Sequence, residues 1–203
     1  MGRALSRSLA ALFAAITAVA LVSVSLASGL VGCETKTSTA GDVAPVVDTG
    51  VLAFLSLARA GHHEADILEE QGDVEGAIAA IQRIVNAPRP HAGETVPEVD
   101  ETLADAYARL ADLRLTKGDV DAAEKDVKEG LTHAKEATYF RGELLTTYGV
   151  VEQKRAQKLM AAGQTVDANN ARTHAVSLLE EAMDIQEHVI GKTLGDGGDA
   201  SAR

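Results

Sequence analysis

Residues able to do chemistry are few in this chain, and their spacing rarely suits a reaction. His62, His63 and Glu64 are consecutive. Neighbouring helix positions point about 100° apart, so the two imidazoles cannot chelate one ion from an unbroken helix. The metalloprotease spacing His-Glu-x-x-His is missing, because Ala65, Asp66 and Ile67 follow His63-Glu64. Asp184 and His188 are four residues apart and share a helical face. A carboxylate-bridged pair of metals would need further helix-borne ligands with Glu-x-x-His spacing, so a solvated pair is the expected role. Gly195, Gly197 and Gly198 have no helix after them to present a phosphate. Ser residues concentrate near the N-terminus, and none sits in a nucleophile elbow. The expectation is a protein that is not an enzyme and takes no metal or cofactor. What remains is one thiol and many carboxylates.

The thiol, Cys33, is the only one. It follows a segment in which Arg3 and Arg7 precede a run that is apolar from Leu9 to Val22 apart from Thr17. A positive start and a short apolar run are the marks of an export signal over 1–32. Leu30-Val31-Gly32-Cys33 resembles the bacterial lipobox, in which the Cys receives diacylglycerol before cleavage. The alternatives are an uncleaved membrane anchor and a buried thiol beside a simple cleavage site. The resemblance implies a lipid bilayer as partner and a cell-envelope location. Glu34 is not the Asp that retains such proteins at the inner membrane, which favours the periplasmic face of the outer membrane. Residues 33–48 are rich in Thr, Ser, Gly and Pro without helical period, and read as a flexible tether.

The elements that position the carboxylates come next. From Glu101, the residues Leu103, Ala106, Tyr107, Leu110, Ala111 and Leu113 recur at helical period. Gly118 stops that helix, Asp119 caps another, and Val120, Ala123, Val127 and Leu131 continue the pattern. Thr49–Gln71 forms an earlier helix through Val51, Phe54, Leu55, Ala58, Ala65 and Leu68, with Gly61 expected to kink or split it. Gly72-Asp73-Val74 then matches Gly118-Asp119-Val120, and Ala77-x3-Ile81 matches Ala123-x3-Val127. Pro88 and Pro90 end the second helix, and Ala87–Asp100 reads as a loop. A third unit starts near Thr138 and turns at Gly163. Gln164–Asn170 is taken as an insertion, with Ala175-x3-Leu179 restoring the repeat spacing. The helical domain is expected over 49–190, and 191–203 as a disordered tail.

Tyr107-x2-Leu110-Ala111, the Gly-Asp turns and Ala123-x3-Val127 resemble the tetratricopeptide repeat. Arg114 stands where that family carries an aromatic. The resemblance implies an all-α solenoid of about three helical hairpins that binds through the concave face of each first helix. Counted back from each turn glycine, that face takes Asp66, Glu69 and Glu70 from the first unit. The second contributes Asp105, Ala108, Asp112 and Leu115, and the third Met160. The family's carboxylate clamp needs Lys, Arg and Asn there, whereas this face is acidic. The implied partner is a protein with a basic segment, with Leu115 and Met160 as apolar anchors.

Composition agrees with a folded chain: 24% charged, 46% hydrophobic and 3% aromatic over 203 residues. A net charge of −11 repels phosphate backbones and excludes nucleic acid as partner. The expected function is a membrane-tethered scaffold for protein–protein interaction, resembling envelope assembly factors and pilotins. The competing expectations are a lipoprotein that self-associates into homo-oligomers through its terminal helix, and an enzyme without a recognisable site.

Overall fold

The computed structural model describes residues 48–197. The leader, Cys33 and nearly all of the tether lie outside the described residues. Six helices follow in order: α1 Thr49–Glu70, α2 Val74–Val85, α3 Pro97–Thr116, α4 Val120–His133, α5 Tyr139–Ala161 and α6 Thr165–Gly197. The fold is an all-α repeat of three helical hairpins, with no strand among the described residues.

One turn is used three times. Gly72, Gly118 and Gly163 have φ of 79°, 79° and 78°, the left-handed region that costs a side chain-bearing residue strain. After each glycine the next N–H reaches back to close a six-residue ring: Asp73 N to Leu68 O at 2.8 Å, Asp119 N to Arg114 O at 2.9 Å, Gln164 N to Leu159 O at 2.9 Å. This Schellman geometry satisfies carbonyls that the helix end leaves free. Asp73 and Asp119 then cap the following helices through Gly76 N and Ala122 N.

The third turn corrects the sequence reading. Gln164–Asn170 is no insertion, because α6 starts at Thr165 directly after the turn. Ala168, rather than Ala175, is therefore the counterpart of Ala77 and Ala123. All three lie five residues after their glycine and are fully buried. Residues 191–197, expected in a disordered tail, are helical.

Gly61 does not break α1. A methyl there would come within 2.8 Å of Ile84 Cγ1, so its role is to let α2 approach. Gly149 does the same for α6, where a methyl would meet Leu179 Cγ at 2.8 Å. The loop before α3 ends at Val96 rather than Asp100, since Pro97 opens the helix at a position where its missing N–H costs nothing.

Two apolar layers join the hairpins. Ile78, Ile81, Ile84, Leu110 and Leu113 fill the space between the first and second. Val120, Val127, Leu144, Val151, Leu178 and Ile185 fill that between the second and third. Arg114, at the position where an aromatic was expected, ion-pairs through Nε with Asp126 inside the α3–α4 hairpin. Asp126 is buried, and burial pushes its carboxyl above the ordinary value, with Arg114 offsetting part of that cost. The α1 N-terminus is held by Asp48. Its Oδ1 accepts from Gly50 N at 2.8 Å and Val51 N at 3.0 Å, while Oδ2 meets His91 of the α2–α3 loop.

Candidate functional site

The first helices α1, α3 and α5 lie side by side, with α3 packed on both neighbours. At the centre of their shared face is Arg109, which the sequence reading did not single out. Its Nη2 donates to Asp66 Oδ1 at 3.0 Å and to Glu69 Oε2. Two of the expected carboxylates therefore already hold a guanidinium. The signal was present in the sequence: Arg109 lies four residues after Asp105 and three before Asp112, hence on their face. Asp105 Oδ2 lies 3.4 Å from His62 Nε2. That nitrogen is buried and makes no hydrogen bond among the described residues. His63 is exposed, so the two imidazoles diverge as the helical geometry requires.

Asp112 is different. It is half-buried, and no hydrogen bond or ion pair engages its carboxylate among the described residues. Burial is the main cause that lifts its pKa, and the negative charges of Glu143 and Glu69 add to it. Arg109 acts in the opposite direction without cancelling the rise. Glu143 comes from α5 and was missed, because counting back from the turn glycine stops short of it. The structure thus gathers Asp66, Glu69, Asp105 and Asp112 around Arg109 and His62, and adds Glu143. Glu70 is exposed and outside these pairings.

Toward the turn end of α3 the charge reverses. Leu115 and Val120 floor a groove of about 440 Å³, whose walls include Lys117, Lys154, Gln157, Lys158 and Ala161. Lys158 Nζ donates to Gly118 O at 2.6 Å, and Lys117 pairs with Glu75. Met160 is half-exposed and does not line this groove, so Leu115 is the anchor position that the structure places there. Ala108 is corrected: it was expected on the open face but is buried in the layer between the second and third hairpins.

A second polar locus lies at the other end of α3, in a cavity of about 750 Å³ between the α2–α3 and α4–α5 loops. Asp100 accepts from Arg89 Nη2 at 2.6 Å and stands 3.2 Å from His133 Nδ1. His133 stacks on Tyr107, with ring centroids 5.7 Å apart. These contacts pin the long α2–α3 loop to the second hairpin. Among the described residues no three His, Cys, Asp or Glu side chains are grouped to hold a metal ion.

Arranged this way, the inner face offers two carboxylates, Asp112 and Glu143, that no cation pairs among the described residues, beside an apolar floor at Leu115. Ionised carboxylates accept hydrogen bonds only, so the face can receive ammonium or guanidinium groups and a neighbouring apolar side chain. Neither a protein-family model nor a curated protein matches the chain.

Proposed function

We propose that this protein is a lipid-anchored helical-repeat scaffold of the bacterial cell envelope, with Cys33 as the lipid-bearing residue. The tetratricopeptide-like turn spacing and the lipobox-like Leu30-Val31-Gly32-Cys33 support that reading. Its inner face takes a protein segment that places a basic side chain over Asp112 and Glu143 and an apolar one at Leu115. The observation that carries this is Asp112, a half-buried carboxylate with no hydrogen bond or ion pair of its own among the described residues, under the repulsion of Glu143 and Glu69. An incoming cation removes the repulsion that the fold leaves in place. Arg109 already neutralises Asp66 and Glu69, so those two orient the site rather than supply its free charge. An exposed ion pair contributes only about 0–1 kcal/mol, so affinity depends on the apolar contact while charge sets the encounter rate. The role is that of an assembly factor or pilotin, held at the periplasmic face of the outer membrane.

The test uses a fluorescent amphipathic peptide of alternating Lys and Leu, followed by stopped flow at low and moderate salt. Asp112→Asn with Glu143→Gln should slow association several-fold at low salt, and the difference should shrink as salt rises. Leu115→Ala should mainly speed dissociation. Binding that is unchanged in both variants would remove this face as the docking site.

A further inference from the structure

Both ends of the repeat carry apolar residues at positions by which its internal units stack, and none of the described residues covers either end. Within the stack, one helix surface recurs at the third, sixth, tenth and thirteenth residues after the turn glycine. In α2 these are Glu75, Ile78, Gln82 and Val85; in α4 they are Asp121, Glu124, Lys128 and Leu131. The next unit's first helix lies along each set, burying Ile78 and half-burying Gln82, Val85, Glu124 and Leu131, while Glu75, Asp121 and Lys128 stay exposed at its rim. Lys117, just past α3, pairs with Glu75, Arg155 of α5 pairs with Asp121 at 3.2 Å, and Tyr148 Oη donates to Glu124 at 3.4 Å. Lys128 Nζ lies 5.9 Å from the Tyr148 ring centroid. In α6 the same register gives Val166, Asn169, Thr173 and Val176. Val166 is 73% exposed and Val176 54%, and Met183, Ile190 and Leu194 extend the bare stripe.

The opposite end shows the complementary feature. First helices pack on the preceding unit through the fifteenth and fifth residues before the turn glycine. In α3 these are Leu103 and Leu113, which are 5% and 1% exposed; in α5 they are Tyr148, which is buried, and the exposed Lys158, which donates to Gly118 O. In α1 the two positions are Leu57 and Ile67, which are 44% and 43% exposed. A solenoid that ends at its last hairpin carries a polar outer face there. Here Leu57 and Ile67 on α1 and Val166 and Val176 on α6 are apolar at stacking positions, where an isolated repeat gains nothing from them.

We infer that a second copy of this chain stacks head to tail, the α1 face of one seated on the α6 face of the other as α5 sits on α4. The register predicts Leu57 of the incoming copy against Asn169 and Thr173, and Ile67 close to the Gly163 turn. Such a contact is heterologous: each copy uses two different surfaces, so association continues beyond two copies unless a ring closes.

The full chain in a non-ionic detergent, followed by light scattering, tests this. Its mass should rise with concentration past that of a pair. Leu57→Glu with Ile67→Glu spoils the head, and Val166→Glu with Val176→Glu spoils the tail. Each variant alone should stay a single copy, while an equimolar mixture should form pairs and stop there. All four side chains are exposed, so the helical circular dichroism of both variants should match the parent. Should either lose it, the corresponding Gln pairs take their place. A parent that stays single at every concentration overturns the inference. So does self-association that survives either spoiled end, which would place the contact on α6 against α6 or in the segment before Asp48. A mixture that fails to pair overturns it as well.

Discussion

At Asp112 a single carboxylate reports on the whole inner face. Its pKa is raised in the folded chain, chiefly by burial. The native state therefore binds more protons than the unfolded state from the ordinary Asp value of about 3.9 upward. Stability falls as pH rises through that window, and the loss persists at neutral pH. Asp112→Asn removes it, so the variant should melt higher than the parent at pH 7. Below pH of about 3.9 the two curves should converge, because the parent carboxyl is then neutral in both states. A lower melting temperature at pH 7 would show instead that Arg109 holds the charge favourably. Arg114 illustrates the opposite case, where a buried charge has a direct partner. There Asp126 accepts from the guanidinium, filling by charge the space that an aromatic fills by volume. Such a pair fixes hairpin geometry more than it adds net stability.

Among elements, the three hairpins differ in sequence and agree in geometry. Gly163 adopts the same φ as Gly72 and Gly118 although Gln164 replaces the capping Asp. The turn is set by the left-handed glycine and the backbone bond behind it, and the Asp adds a cap rather than the turn itself. Ala168 is the consequence: it is the contact alanine of the third hairpin. Ala168→Leu should overpack that contact and cost about 1–3 kcal/mol in thermal or urea melts. Ala161→Leu, at an exposed position, should change little. Equal tolerance at both would mean that the third hairpin is not packed in this register. Asp121 and Glu124 show the same lesson on α4. Arg155 of α5, 34 and 31 residues further along the chain, takes both.

For the molecule as a whole, attachment and assembly are separate questions. No helix among the described residues is long and apolar enough to cross a membrane. Under the proposed lipidation, Cys33→Ser should abolish labelling by a fatty-acid probe and release the chain from washed membranes. Retention of both would mean that the apolar leader itself anchors the protein. As for legibility, the sequence by itself determined what depends on near neighbours. Helical period marked the six helices but not the first turns of α3 and α6, and Gly72, Gly118 and Gly163 marked the hairpin turns, because a left-handed residue is a local requirement. Acidic positions 66, 69, 105 and 112 were carried over from the repeat resemblance by counting back from each turn glycine. Only the tertiary structure decided which of those charges are free. Arg109 reaches Asp66 and Glu69 from 43 and 40 residues away, while Glu143 reaches the surroundings of Asp112 from the next hairpin. Ala108 was lost from the open face for the same reason, since α5 covers a side of α3 that periodicity alone leaves undefined. Charge pairing and burial act through space, and the distance along the chain carries no record of either.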